Sequence, residues 1–391
     1  MANDNKYIPV LRFPEFQNDG EWNCVHIGDA IKTITPPKKL PSTDYKDSGK
    51  FPIVDQSLKY IAGYSNDNTA VVHNDGASIV FGDHTCTLKL IYFPFIQGAD
   101  GIKIFKSKTD DLVTEYIYQH ILANPVVSAE YKRHFSDLKE KILSYPTTTT
   151  EQNKIADCLS SLDKYVDATK RKLDLLKEHK KGLMQRLFPA KGKTIPALRF
   201  PEFQNEGEWN YENGDILYGS IVNKKHKSDL PILAITQDNG AIPRDEINYR
   251  VVVEDKSIEG YKVVEIGDFI ISLRSFQGGI EYSRYKGLCS PAYIVLRKRH
   301  SKICDDFYRH YFKSFQYIQE LNRNLEGIRD GKMVSYKQFA DIKLPYPCYE
   351  EQCKIAKCLS SIDDVIQSYI EKITALELHK NGLMQQLFPK L

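Results

Sequence analysis

The stretch EQNKIADCLSSLDKYVDATKRKLDLLKEHKKGLMQRLFP, residues 151–189, decides the fold because the chain contains it twice. Residues 351–389 read EQCKIAKCLSSIDDVIQSYIEKITALELHKNGLMQQLFP, and 21 of the 39 positions are identical. Mostly apolar residues recur in both copies at alternating spacings of four and three over about five heptads, which is typical of a coiled coil. These seam positions are Ile155, Leu159, Leu162, Val166, Thr169, Leu173, Leu176, Lys180, Leu183 and Leu187, together with the ten residues that follow them by 200.

The simplest partner for each long helix is the other copy in the same chain. We therefore predict that the two helices pair with each other through their seams. The alternative is that each amphipathic helix packs only on its own globular domain.

A second repeat precedes the first. Residues 8–23, IPVLRFPEFQNDGEWN, return as residues 195–210, IPALRFPEFQNEGEWN, with 14 of 16 positions identical. Each is a proline-containing extended segment, called here the opening segment, that ends near Trp22 or Trp209. The chain therefore consists of two tandem halves, each with an opening segment, a variable region and a long helix. A pseudo-two-fold arrangement of such halves would run the long helices antiparallel.

The variable regions, residues 24–150 and 211–350, predict an α+β fold with a mixed or antiparallel sheet and few helices, since short strand-like runs alternate with turn signals. An Asp-Asp pair at 110–111 and at 305–306 predicts a helix start, because carboxylates stabilise free N–H groups there. The predicted division is a variable domain at 1–150, a long helix at 151–189, a second variable domain at 190–350 with a linker at 190–194, and a second long helix at 351–391.

Composition narrows the class of protein. A chain of 391 residues with 41% hydrophobic residues suits two or three globular domains. No apolar run approaches the roughly 18 residues that a membrane span needs, and the N-terminus lacks the pattern of a secretory signal. We therefore expect a cytoplasmic protein. A net charge of +3 is too small to argue for nucleic-acid binding by itself, so any basic surface must be local.

Motifs for catalysis are absent from the sequence. There is no GxxxxGK[ST] phosphate loop, no NPPY-type motif and no glycine-rich cofactor loop of an adenine methyltransferase. His73 and His84 lie near Asp75 and Asp83, which could suggest an acid–base or metal cluster. Polar residues in loops between strands explain the same pattern more simply. We predict no catalytic, metal or cofactor site in this chain.

Basic and amide side chains interleave with aromatic ones in both variable regions. Arg, Lys, Gln and His are the residues that contact phosphates and read base edges in the major groove. The loops at 83–89 and 274–277 are the stronger candidates, because they follow a central strand at matching places in the two regions. The DNA-binding candidates are Lys38, Lys39, His84, Thr85, Lys89, Lys224, Lys225, Arg274, Ser275, Gln277 and Lys332.

The combination of motifs resembles the specificity subunit of type I restriction–modification systems. The resemblance is carried by the LRFPEFxxxGEW opening segments, the EQxKIAxxLSSxD helix starts and the HKxGLMQxLFP helix ends, and it covers residues 8–389. The first junction, LSYPTTTTEQ, departs from the second, LPYPCYEEQ, and leaves the start of the first long helix open. The resemblance implies two target recognition domains, each reading half of a bipartite DNA target, with helices that set the spacer.

The resemblance also implies the partners. These are double-stranded DNA, two methyltransferase subunits and ATP-driven restriction subunits, with S-adenosylmethionine, ATP and Mg on the partner subunits. The apolar helix ends are candidates for methyltransferase docking: Leu183, Met184, Leu187, Phe188, Leu383, Met384, Leu387 and Phe388. Capping of the internal helix pair by these residues is the alternative. Two other functions stay open at this stage, a coiled-coil adaptor without DNA readout and an enzyme with an unrecognised motif.

Overall fold

The structure is a computed structural model that describes residues 7–127, 132–227, 229–246, 255–323 and 334–389. It divides into two compact units. Unit 1 comprises residues 1–170 and 371–391, and unit 2 comprises residues 171–370. In the part of the chain that the structure describes, no helix is both long and apolar enough to cross a membrane.

Unit 1 contains eleven strands and three short helices among its described residues, besides parts of the two long helices. The strands are β1 Asn23–His26, β2 Ile31–Ile34, β3 Lys39–Leu40, β4 Phe51–Val54, β5 Gly63–Ser65, β6 Val71–Val72, β7 Ser78–Gly82, β8 Leu88–Ile91, β9 Phe95–Gly98, β10 Ile102–Ser107 and β11 Ile142–Tyr145. The helices are α1 Ile27–Ala30, α2 Thr114–Ala123, α3 Phe135–Glu140 and the long α4 Thr149–Leu187.

Two sheets form most of unit 1. One is antiparallel with strand order β2-β10-β7-β8. The other has the order β3-β9-β4-β5, with β6 on β9, and mixes parallel with antiparallel pairs. Strand β7 is buried along its whole length, as its apolar sequence SIVFG predicts. Trp22 of the opening segment packs into the same core as Phe105 and Tyr116.

Unit 2 contains ten strands and five short helices among its described residues. The strands are β12 Asn210–Asn213, β13 Tyr218–Ile221, β14 Leu233–Thr236, β15 Gly240–Pro243, β16 Lys262–Val264, β17 Phe269–Ile271, β18 Glu281–Tyr282, β19 Gly287–Cys289, β20 Ile294–Lys298 and β21 Lys343–Tyr346. The helices are α5 Gly214–Leu217, α6 Ser275–Gly278, α7 Asp305–Tyr311, α8 Phe315–Arg323, α9 Tyr336–Asp341 and the long α10 Tyr349–Leu387.

The central sheet of unit 2 has the order β13-β20-β17-β18, which is strand for strand the order β2-β10-β7-β8 of unit 1. Three two-stranded sheets, β12–β21, β14–β15 and β16–β19, complete it. Trp209 lies in the core with Phe307 and Phe339. The predicted α+β class with mixed and antiparallel sheets is therefore confirmed, although the two variable regions share almost no sequence.

The two long helices follow the predicted seam. All twenty seam positions are buried or half-buried, whereas most of the intervening helix positions are exposed. Within unit 1, Asp163 pairs with Lys380 and Lys170 pairs with Glu377, so the partner number falls as the residue number rises.

The same order holds for the helix segments of unit 2. Lys180 pairs with Asp363, and the Lys172 ammonium lies 5.4 Å from the centroid of the Tyr369 ring. Antiparallel pairing of the long helices is thereby confirmed inside each unit.

Some predicted helix bounds were wrong. The first Asp-Asp pair, at 110–111, does not open a helix, because α2 begins at Thr114 behind an extended Val113. The second pair does open a helix, α7, and a further helix, α8, follows it after residues 312–314. The opening segments contain short 3-10 turns at Pro14–Phe16 and Pro201–Phe203, where proline has no N–H to leave unpaired.

Candidate nucleic-acid interface

The loop after strand β7 gathers polar side chains on one surface of unit 1. The Thr85 hydroxyl donates to the carbonyl oxygen of Gln56 at 2.9 Å. A side chain on Gly101 would meet His84 at 2.8 Å and Gln56 at 3.1 Å, so only glycine allows these side chains to approach. The His84 ring lies 3.2 Å from the carbonyl oxygen of Lys132. The structure thus brings the candidates His84 and Thr85 together with Gln56.

One lysine of the predicted pair lies next to this surface. Lys39 is exposed and its ammonium donates to Asp100 at 3.0 Å. Asp100 is also the residue whose carbonyl oxygen accepts from the Gln56 amide at 3.5 Å. Lys38 instead pairs with Asp67 at 2.9 Å. Asp100 therefore links Lys39 to the surface that carries His84 and Thr85, while the partner of Lys38 is Asp67.

Lys89 was predicted to contact DNA, and the structure corrects this assignment. Its side chain is only 5% exposed, and its ammonium donates to the carbonyl oxygens of Asp55 at 2.7 Å and Lys59. Burial lowers the pKa of Lys89, partly offset by the Asp55 carboxylate 3.9 Å away. A lysine held in this way positions the loop between β4 and β5 and cannot reach a phosphate.

In unit 2 the candidate residues Arg274, Ser275 and Gln277 lie on α6 and the turn before it. This turn follows β17, which occupies the place of β7 in the sheet, so the predicted matching position of the two loops is confirmed. Arg274 and Gln277 are exposed. Ser275 is buried, and its hydroxyl accepts from the Ser272 amide at 2.8 Å. Ser275 therefore shapes the turn, which corrects its assignment as a contact residue.

Lys313 links the elements that form the surface around Arg274 and Gln277 in unit 2. Its ammonium donates to the carbonyl oxygens of Gln237 at 3.1 Å and Gly278 at 2.9 Å, and to the Glu281 carboxylate at 2.5 Å. Glu281 is buried, and this burial outweighs the Lys313 charge and raises the pKa of Glu281 to about 7. The turn between β14 and β15 thus lies against the end of α6.

The remaining basic candidates of unit 2 are on a different loop. Lys224 and Lys225 are exposed after β13, in a loop whose Asn223 carbonyl accepts from the Val263 amide at 2.7 Å. Exposed lysines of this kind suit phosphate contacts rather than base readout. Lys332 lies outside the described residues.

The suggested acid–base cluster does not form a shared site. Asp83 is buried and accepts from the Phe135 amide at 2.8 Å, whereas Asp75 pairs with Lys106 at 2.9 Å. Each carboxylate therefore has its own structural partner.

The apolar ends of the long helices lie in the cores of the two units. Phe188 contacts Phe307 and Tyr311 of unit 2, with ring centroids 5.5 and 5.4 Å apart. Phe388 contacts Tyr116 and His120 of unit 1 at 5.7 and 5.2 Å.

The other helix-end candidates divide between buried and half-buried positions. Leu187, Leu387 and Met384 are buried like the two phenylalanines, so these five residues do not form the exposed patch that was expected. Leu183, Met184 and Leu383 are half-buried.

Sequence reasoning missed Gln56, Gln237 and Lys313. Each of them belongs to a candidate surface through a contact with a residue that is distant in sequence. Lys313 and Gln237, for example, are 76 positions apart. The one local signal for Gln56 was the polar run DQS directly after the apolar run FPIV.

Comparison with known proteins agrees with this architecture. The type I restriction modification DNA specificity domain family matches residues 19–178 and 187–378. The type I restriction enzyme MjaVIII specificity subunit of Methanocaldococcus jannaschii is 24% identical over 431 residues, covering 98% of this chain and 94% of that protein. The putative MjaX specificity subunit of the same organism is 26% identical, covering 72% and 68%.

One solved structure supports the fold as well. The S subunit of the type I restriction-modification system of M. genitalium aligns with a TM-score of 0.65 at 16% identity, covering 98% of this chain and 99% of that one. Because the family matches nearly the whole chain in two copies, the protein belongs to the type I restriction–modification DNA specificity family. Its partners are accordingly DNA and other subunits of such a system, and it is non-catalytic by itself.

Proposed function

We propose that unit 1 and unit 2 each read one half of a bipartite DNA target, and that the length of the long helices sets the spacer between the halves. The chain recruits two methyltransferase subunits that carry S-adenosylmethionine. Restriction subunits that use ATP and Mg join the complex for cleavage. The readers in this proposal are the surfaces around His84 in unit 1 and around Arg274 in unit 2.

The observation that carries the proposal is a repeated scaffold that holds different surfaces. Arg12 makes a bidentate pair with Glu151 at 2.8 and 2.7 Å, and Arg199 makes the same pair with Glu351 at 2.7 and 2.7 Å. The opening segments, together with the helix residues that they contact, are called the frame. The residues in the loops after β7 and β17 are unrelated. A repeated frame with two unlike polar surfaces is what recognition of an asymmetric sequence requires.

The docking of two identical methyltransferase subunits is supported by the duplicated surface. Lys154 pairs with Glu15 at 3.1 Å, and Lys354 pairs with Glu202 at 2.8 Å, all four side chains being substantially exposed. Two copies of one exposed pattern suit two copies of one partner. The buried helix-end residues Leu187, Phe188, Met384, Leu387 and Phe388 support docking only by shaping the units behind the half-buried Leu183, Met184 and Leu383.

An exchange experiment tests the proposal. Residues 24–150 are replaced by the first variable region of another family member, and the chimera is expressed with its methyltransferase subunit. Long-read sequencing that detects methylated adenine then defines the target. We expect one half-site to change while the other half-site and the spacer persist. A chimera in which both half-sites change would contradict the assignment of one half-site to each unit.

A further inference from the structure

The hairpin loop between β4 and β5, residues 55–60, is clamped against the loop that follows β7 in the same unit. Lys89 donates to the carbonyl oxygens of Asp55 and Lys59, and the hydroxyls of Thr85 and Thr87 donate to the carbonyl oxygen of Gln56 at 2.9 and 3.0 Å. These bonds hold both sides of the loop. We infer that the 55–60 loop is a base-reading element of unit 1 and that Leu58 at its tip contacts the target; this inference rests on the proposed function.

Four bonds of the clamp accept on main-chain carbonyl oxygens of the loop, two from Lys89 and one each from Thr85 and Thr87. The Asp55 carboxylate, 3.9 Å from Lys89, and the Tyr60 hydroxyl, which donates to the Leu90 carbonyl, add side-chain contacts. Every residue type offers the same carbonyl oxygen, so these four bonds persist when the exposed side chains of Leu58 and Lys59 change. Opening the loop would break two hydrogen bonds from a charged donor, and such bonds are stronger than those between neutral groups. A loop with a fixed path and exchangeable side chains is suited to sequence recognition.

The side chains at the tip of the clamped loop face outward. Leu58 is 94% exposed, and Ser57 and Lys59 are exposed on either side of it. Leucine can recognise only an apolar group, and the apolar group that the major groove presents is the thymine methyl. The flanking Lys59 ammonium can bind a phosphate or a guanine edge. The tip therefore fits a thymine within the half-site that unit 1 reads.

Unit 2 holds a hairpin in the same manner with different residues. Lys313 binds the carbonyl oxygens of Gln237, in the turn between β14 and β15, and of Gly278. Gln237, Asp238 and Asn239 in that turn are exposed. Lys313 binds the hairpin turn itself through a main-chain acceptor, with the Glu281 carboxylate as a further partner, and the Gln237 amide side chain stays at the surface. Glutamine can pair there with adenine. The two units therefore present a hairpin tip by the same physical device.

The test compares the methylation targets of matched variants in complex with the methyltransferase. Leu58→Ala removes the proposed base contact, and Leu378→Ala removes another strongly exposed leucine, 72% exposed, on the outer side of α10 in unit 1. A plasmid library with randomised half-sites is methylated in cells and read by sequencing. We expect Leu58→Ala to weaken the preference at one position of one half-site about tenfold. We expect Leu378→Ala to keep the parental target.

Lys89 is tested as a positioning residue. Lys89→Met should broaden several positions of the same half-site while the other half-site persists, and Lys89→Arg should restore part of the preference. Gln237→Ala should alter the other half-site only. Leu58 is exposed, so its variant folds even if the Lys89→Met variant does not.

The outcomes separate the two levels of the proposal. A parental target that is not bipartite overturns the proposed function together with the inference. A bipartite parental target that Leu58→Ala leaves unchanged at every position overturns the inference alone. Leu58→Ala and Gln237→Ala altering the same half-site would contradict the assignment of one half-site to each unit, and so the proposed function.

Discussion

The two units are nearly identical in the contacts of their opening segments. They differ in the contacts that hold their hairpin tips. In the frame the same residue types make the same pair: Arg12 binds Glu151 at 2.8 and 2.7 Å, and Arg199 binds Glu351 at 2.7 and 2.7 Å. At the hairpin tips the holding lysine comes from strand β8 in unit 1 and from the residues after α7 in unit 2. The frame repeats in its residues, whereas the tips share only a physical device.

This difference indicates which properties each region must keep. The arginine–glutamate pairs of the frame are buried and depend on both side chains, so a change of either partner disrupts them. The bonds from Lys89, Thr85, Thr87 and Lys313 to the hairpin loops accept on main-chain oxygens, so exposed tip residues such as Leu58 can change without removing them. Substitutions at equivalent frame residues should therefore destabilise their own units by similar amounts. Substitutions in the hairpin tips or loops should have effects that differ between the units.

The largest expected effect comes from the buried frame arginines. Arg12→Ala leaves the Glu151 carboxylate, 1% exposed, without its bidentate partner in unit 1, and Arg199→Ala does the same to Glu351 in unit 2. Each variant should lower the free energy of unfolding of its own unit by about 3–5 kcal/mol. Hydrogen exchange measured by mass spectrometry assigns the loss to unit 1 or unit 2. The exposed Arg133→Ala serves as the control.

Equal losses from Arg12→Ala and Arg199→Ala would strengthen the view that the frame repeats energetically. A loss of stability in one unit and none in the other would show that identical bonds contribute differently to the stability of the two units.

The helix-end phenylalanines give a second test. Phe388→Ala should open a cavity in unit 1 beside Tyr116, and Phe188→Ala should open one in unit 2 beside Phe307, each at a cost of about 3–5 kcal/mol if the site does not collapse. We expect a lower melting temperature for both variants. Mass photometry should show that each variant still binds its methyltransferase subunits where it remains folded. An unchanged melting temperature with failed assembly would return these residues to partner docking.

The third prediction is that the stability of unit 2 depends on pH through the carboxylate in its Lys313 clamp. The pKa of Glu281, raised from 4.5 to about 7, favours the protonated carboxyl in the folded state. This contribution to stability is fully present below pH 4.5 and is lost as the pH rises through about 7. The contribution is on the order of 3 kcal/mol. Unit 2 should therefore lose stability over this range, and Glu281→Gln should flatten the profile in melting curves recorded between about pH 5 and pH 8.

The control for this prediction is unit 1, whose Lys89 clamp contains no buried carboxylate of this kind among its described contacts. A parental slope that persists in Glu281→Gln would show that another group causes it.

The smallest expected effect distinguishes phosphate contacts from base contacts within unit 2. Lys224→Ala with Lys225→Ala should weaken binding to all DNA sequences and reduce the salt slope of log K by about 1.8. Arg274→Ala with Gln277→Ala should instead relax one half-site, by about 1–3 kcal/mol for each base that is no longer recognised. Fluorescence anisotropy of the assembled complex at several salt concentrations measures both. A sequence-dependent effect of the lysine pair would place these residues among the base readers.

The repeats predicted the frame well because periodic and duplicated patterns are local properties of a sequence. The seam from Ile155 to Leu187 is buried or half-buried as its heptads predict. The start of the first long helix at Thr149, two residues before Glu151, and the late start of α2 show the usual shift at helix ends. The domain bounds at 150, 189 and 350 stay predictions, since the compact units divide the long helices at 170 and 370.

The candidate surface was predicted less well. Thr85, Lys39, Arg274 and Gln277 are exposed and His84 is half-buried, which agrees with the prediction of contact residues, and their role in DNA binding stays a proposal. Lys89 and Ser275 share the same residue types and loops, yet they are buried. Residue type alone does not distinguish a lysine that binds phosphate from one that binds carbonyl oxygens.

The sequence by itself determined the family, the duplication and the helical seam, because each is written in the order and spacing of residues along the chain. Only the tertiary structure decided that Phe188 and Phe388 belong to the cores and that Lys89 clamps a hairpin. The physical reason is that burial and hydrogen bonding depend on segments far apart in the chain, such as Phe388 and Tyr116. Packing of the whole unit brings such residues together, and a local sequence pattern does not predict which of them meet.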